Sequence, residues 1–281
     1  MEHMQRQMNQ ATSLFYTADY EESKILFEQL LKSYLKNKDI HGALRCYYRL
    51  ACLTYTRDDM KQFNHFAEQY NTLFTSFLAK NIEHYIEQNM LLGLQAMTNL
   101  KHSRAIPFFA SVANQAAAKF KKHKISALLL IQKCQITLGN FEQAEALDAD
   151  LAGFVETMEN DTQQILHLYL NRAYLAILQS DFVTFNDYIA RTKQHPDYAF
   201  LQKEPMFVAI LEAKHLALQG NFVKAIKRLQ AQVASLEPLQ DPQILYMLYT
   251  AFIEYFEQTQ NHKEALHYAK LLIALEREVS V

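Results

Sequence analysis

Arg45 and Arg49 stand four residues apart, a spacing that sets two guanidinium groups on one helical face, where they can grip a carboxylate. Lys133 and Lys214 are isolated cations suited to an acidic group, and Glu254 offers the opposite charge. Asn171 carries an amide that can hydrogen-bond a peptide backbone on both its edges. Tyr48, Tyr55 and Tyr174 supply rigid contact area, and Met90 supplies an adaptable one. The ordinary role of such rings and thioethers is core packing, so these four residues read equally as inter-helix core. The chemistry in this set is recognition, without bond making.

Groups that make or break bonds lack a pattern. No glycine-rich phosphate loop of the G-x-x-x-x-G-K-[ST] or G-x-G-x-x-G type occurs, nor an H-E-x-x-H or C-x-x-C pair. Cys46 and Cys52 are six apart, which on a helix turns them to different faces, and the third cysteine is Cys134. The eleven histidines are scattered. The reading is of a chain without catalytic residues, metal or cofactor. Half the residues are apolar and net charge is −2, which gives no basic excess for a nucleic-acid backbone. The one cationic run, Lys119 to Lys124, reads as a solvated loop between repeats. No stretch approaches eighteen consecutive apolar residues, and the first twenty lack a signal-peptide core, so a reduced, cytoplasmic chain without a membrane span is expected.

The elements that must position these residues recur. A turn triplet returns about every forty residues: Ala18-Asp19-Tyr20, Asp58-Asp59-Met60, Leu100-Lys101-His102, Gly139-Asn140-Phe141, Ser180-Asp181-Phe182, Gly220-Asn221-Phe222 and Gln260-Asn261-His262. Three residues beyond each triplet stand Ser23, Phe63, Ala105, Ala144, Phe185, Ala225 and Ala265. Seven positions before the turn a small residue recurs (Ala11, Ala51, Gly93, Ala173, Ala213), with Gln132 and Ile253 as exceptions. Apolar residues on either side follow the i, i+3, i+4, i+7 spacing of amphipathic helices. Only five glycines and five prolines fit an all-helical chain. The expectation is an all-α solenoid of about seven helix-turn-helix pairs in one repeat domain over 1–281, with units near 1–40, 41–82, 83–121, 122–162, 163–202, 203–242 and 243–281.

On the segments Leu138-Gly139-Asn140-Phe141-Glu142-Gln143-Ala144 and Gln219-Gly220-Asn221-Phe222-Val223-Lys224-Ala225, the chain resembles the tetratricopeptide repeat family. The unit is longer than the family's 34 residues and has no tryptophan, and its length is similar to the bacterial Rap- and PlcR-type peptide-receptor regulators. The resemblance implies a right-handed superhelix whose first helices line a concave groove. It also implies a peptide or extended protein segment as partner, in bacterial signalling. The carboxylate clamp of chaperone-binding members is incomplete, because Met8 and Thr12 stand where Lys and Asn belong. An alternative is the sensory or dimerisation segment of a larger signalling enzyme such as a diguanylate cyclase. The apolar series Ala265, Leu266, Ala269, Leu271, Leu272 and Ile273 makes a homodimer through the C-terminal repeat an expected option.

Overall fold

Each turn triplet ends one helix and starts the next with the same backbone. In a computed structural model, residues 2–17, 19–77, 81–116, 118–158, 162–196, 198, 203–235 and 239–280 are described; Ala18 of the first triplet lies outside them. The first triplet residue is left-handed at Asp58, Leu100, Gly139, Ser180, Gly220 and Gln260, with φ between 57° and 77°. Only two of these are glycine, so four side chains accept a conformation costing roughly 1–2 kcal/mol. The offset comes from a paired hydrogen-bond pattern. The next residue's N–H reaches five residues back, as in Asp59 to the Thr54 carbonyl at 2.9 Å and Asn221 to the Leu216 carbonyl at 2.9 Å. The residue that closes one helix then caps the following one. Asp59 accepts from the Gln62 N–H at 3.0 Å and Asp181 from the Thr184 N–H at 3.1 Å. Asn140 and Lys101 depart from this: Asn140 spends its amide on Gln135 at 2.8 Å, and the Lys101 side chain makes no cap bond.

The helices that result are α1 (Glu2–Tyr16), α2 (Tyr20–Lys36), α3 (Ile40–Thr56), α4 (Met60–Ser76), α5 (Ile82–Thr98), α6 (His102–Gln115), α7 (Lys121–Thr137), α8 (Phe141–Ala152), α9 (Val155–Met158), α10 (Thr162–Leu178), α11 (Phe182–Gln194), α12 (Lys203–Leu218), α13 (Phe222–Ser235), α14 (Pro242–Gln258) and α15 (His262–Ser280). Among the described residues no strand occurs. The chain is all-α, and neighbouring helices pack on one another as in a helical-repeat solenoid. Two compact units are present, residues 1–95 and residues 96–281.

In both units the repeat register is the packing register. Ser23, Phe63, Ala105, Ala144, Phe185, Ala225 and Ala265 are all buried, as are Ala11, Ala51, Gly93, Ala173 and Ala213. The two register positions meet where the helices of a pair cross. The Ser23 hydroxyl donates to the Ala11 carbonyl at 2.8 Å, and the Gln132 amide donates to the Ala144 carbonyl at 3.3 Å. Gln132 therefore occupies a small-residue position because its amide satisfies the backbone across the crossing. Phe141, Phe182 and Phe222, which follow the turns, pack onto the second unit's core.

Three details depart from the forty-residue reading. Lys38 takes φ 56° between α2 and α3, so an equivalent turn also joins successive pairs, with Asp39 capping Gly42 at 3.0 Å. A Cβ at Gly42 would collide with the Tyr34 ring, so α2 and α3 approach closely there. The Lys119–Lys124 run is not a loop: Lys119 and Phe120 close a short 3-10 turn, and Lys121 to Lys124 form the first turn of α7. Phe120 is buried and anchors that turn, while Lys119 and Lys121 lie over the Phe120 and Phe154 rings at 4.7 and 5.6 Å.

Candidate functional site

Within the second unit, the first helices of the fourth to seventh pairs (α7, α10, α12 and α14) gather charge into buried surroundings. Asp241 caps α14, its Oδ1 accepting the backbone N–H groups of Gln243 at 2.9 Å and Ile244 at 3.4 Å. Its Oδ2 accepts from Lys203 Nζ at 3.2 Å, and both residues are buried. Burial alone would raise the Asp241 carboxyl, but the Lys203 and Lys133 ammonium groups outweigh it and hold it below the usual carboxylate range. Lys133 lies over the Phe207 ring at 5.3 Å, and Phe207 meets Tyr174 edge-to-face at 5.4 Å. Burial and the nearby Lys203 push the Lys133 ammonium down, partly countered by Asp241 and Glu204. Glu204 presents Oε1 to His167 Nε2 at 3.6 Å.

Four buried side-chain atoms here have no hydrogen-bond partner among the described residues: His102 Nδ1, Gln164 Oε1, Glu204 Oε2 and Gln243 Nε2. Buried polar atoms are nearly always satisfied, so these orphans, three of them on the first helices α10, α12 and α14 and His102 on α6, mark polar capacity that the fold itself does not use. His102 feels it directly. Burial, reinforced by Lys133, lowers the imidazole to about 4. A histidine depressed in the folded state binds its proton more readily when unfolded, so stability falls as pH drops from about 6.5 toward 4. The full effect is roughly 3 kcal/mol. His102→Gln is expected to flatten that segment of a pH-dependent melting curve; a curve unchanged by the substitution would contradict the assignment.

The residues singled out in the sequence land in different settings. Lys133 belongs to the cluster, and Tyr174 stands beside it, buried. Lys214 is half-buried further along α12, and Glu254 is exposed on α14. Asn171 is buried and its amide is spent within the fold, donating to the Leu129 carbonyl at 2.9 Å and to Gln132 Oε1 at 3.0 Å. A buried amide in that position joins α10 to α7 and does not read a partner's backbone. Asn171→Leu should therefore cost about 2–3 kcal/mol in urea unfolding by orphaning both acceptors. A variant that unfolds like the wild-type chain would return Asn171 to the binding face.

In the first unit Arg45 and Arg49 do not act together. Arg45 is held bidentately by Glu83 at 3.1 and 2.9 Å, whereas Arg49 lies against the Tyr48 ring at 5.8 Å. Tyr48 and Met90 are buried, and Tyr55 is half-buried against Phe63 at 5.3 Å. Cys46, Cys52 and Cys134 are free thiols that burial raises to about 12, 11 and 12, leaving them protonated at neutral pH.

Beside them is a network that the scattered histidines concealed. His84 Nδ1 lies 3.0 Å from Glu87 Oε2, His41 Nδ1 lies 2.9 Å from His84 Nε2, and the Tyr70 hydroxyl is 3.1 Å from the same Glu87 oxygen and 2.8 Å from the His84 carbonyl. The H-x-x-E spacing of His84 and Glu87 on α5 was the available signal. The remaining members of the second-unit cluster, Lys203, Glu204, Asp241 and Gln243, sit at helix starts and carry no periodic signal.

On the last helix Ala265 is buried, while Leu266 and Ile273 are exposed. Among the described residues no helix is long and apolar enough to cross a membrane, and no group of three or more His, Cys, Asp or Glu side chains could hold a metal ion. Comparison with models of known protein families and with curated proteins finds no match for this chain.

Proposed function

We propose that this chain is a non-catalytic interaction module of tetratricopeptide type that binds a peptide or an extended protein segment on the first helices of its repeats. The single observation that carries this reading is the concentration of unspent polar capacity on those helices in the second unit: Lys133, Gln164, Glu204 and Gln243. Asp59 and Asp181 at turns and Ser23 on α2 have committed theirs to caps and to a backbone carbonyl. Three protonated thiols outside any disulfide suit a reducing, cytoplasmic setting and offer no ready nucleophile. The likeness of the forty-residue unit to the bacterial Rap- and PlcR-type regulators supports a role in bacterial signalling.

The reading is tested by selecting binders from a random-peptide library with the full chain. A selected peptide should lose at least about tenfold in affinity, or 1.4 kcal/mol, when Lys133 is replaced by Met. A library that yields no binder, or binders indifferent to every first-helix substitution, would overturn it.

A further inference from the structure

Two opposite charges in the second-unit cluster, Lys133 and Glu204, form no ion pair with each other. Asp241 is paired with Lys203 and caps α14. Lys133 faces an aromatic ring in place of an acceptor: among the described residues no carboxylate oxygen lies within 4.0 Å of its ammonium, although Asp241 and Glu204 are within electrostatic reach. Glu204 shares one oxygen with His167 and leaves Oε2 without a partner. Gln243, only 4% exposed, leaves its Nε2 donor without one. Lys133 on α7 thus has Glu204 on α12 within electrostatic reach, together with Asp241, the cap whose Oδ1 holds the Gln243 backbone N–H at the start of α14.

We propose that this cluster receives the carboxylate and the adjacent nitrogen of an α-amino-acid unit, whether a free amino acid or the terminal residue of a peptide. The carboxylate meets Lys133 and Gln243, and the nitrogen donates to Glu204. The inference rests on the reading of the first helices as the binding face and adds the chemistry of the group bound there. The charge pattern selects a zwitterion-like group. A phosphate would meet the Glu204 and Asp241 carboxylates with one uncompensated cation to set against them, and isolated buried charge of that sign is strongly disfavoured. A group carrying both signs satisfies Lys133 and Glu204 together. The Phe207 and Tyr174 rings beside Lys133 form an apolar wall, which favours units with an apolar or aromatic side chain.

The test is calorimetric titration of the full chain with individual free amino acids, their amides and their N-acetyl forms, and with peptides ending in a carboxylate or an amide. The expected result is binding by a subset of apolar amino acids or free-ended peptides. Amidation of the carboxylate should weaken that binding by at least about tenfold. Acetylation of the nitrogen should weaken a free amino acid more than a terminal peptide residue, which separates the two sources. Lys133→Met should reproduce the loss, Lys133→Arg should retain part of the binding, and Lys270→Met on α15 should leave it intact. The comparison of acid with amide needs no variant, so it stands even if Lys133→Met fails to fold. Equal binding of acid and amide forms would remove this subsite and leave peptide binding standing. Binding of neither amino acids nor peptides would remove both.

Discussion

Asp241→Ala is expected to destabilise the second unit by about 4–6 kcal/mol. The substitution deletes the α14 cap, worth about 1 kcal/mol, and takes from the buried Lys203 ammonium its carboxylate at 3.2 Å, a loss of about 3–5 kcal/mol. Lys133 worsens it, because two ammonium groups then share the same surroundings. Asp241→Asn keeps the cap and loses only the charge, so its cost should be smaller than that of Ala. Pairing it with Lys203→Met removes both charges and should bring the unit back to within about 1–2 kcal/mol of the wild type. Urea unfolding with amide exchange on α14 separates these outcomes, and additive costs in the double variant would show that the pair is not coupled. The pH dependence has a definite sign. Asp241 titrates below the ordinary carboxylate range when folded, so its contribution is complete above about pH 4 and is lost as pH falls through the folded value.

His84→Leu should cost the first unit about 3–5 kcal/mol. Both His84 and Glu87 are buried, and their partners fix the arrangement of protons. Glu87 can only accept when ionised, so His84 Nδ1–H donates to it, and His84 Nε2 then accepts from His41 Nδ1–H. Without the imidazole, the Glu87 carboxylate keeps only the single proton of Tyr70, which the His84 carbonyl also shares. An uncompensated buried carboxylate is the costly outcome. Glu87→Gln retains an acceptor for the same donors and should cost only about 1–2 kcal/mol. His41→Ala should cost less still, because His41 is exposed and water can replace its hydrogen bond. A ranking in which His41→Ala equals His84→Leu would show that the network does not hold the unit together.

Much of this architecture is written in the turn triplets. A left-handed residue followed by a polar residue that opens the next helix leaves a local signature, and the backbone keeps it even where Leu100 or Gln260 replaces glycine. The register positions were equally legible, since a buried residue at a helix crossing must recur with the repeat. The turn at Lys38 was hidden because it falls half a period away from the others. Gly153, ending α8, separates it from the short helix α9, a local irregularity that the repeat signal does not announce. For the site, helical register placed Lys133 and Tyr174 on first helices, and it placed Asn171 there too. Register cannot tell whether a side chain's hydrogen bonds are already spent, and those of Asn171 are. It is equally silent on Lys203, Glu204 and Asp241, which enter the cluster from helix starts in the links between pairs. Arg45 and Arg49 show the same limit: four residues apart on one helix, one is captured by Glu83 and the other turns to Tyr48.

The central claim is that partners bind on the first helices of the second unit. Hydrogen exchange of the full chain, with and without a library-selected peptide at saturating concentration, tests it most directly. Slowed exchange confined to α7, α10, α12 and α14, and abolished by Lys133→Met, is the expected result. Protection that falls instead on α8, α11, α13 and α15, or that survives the loss of Lys133, would contradict it.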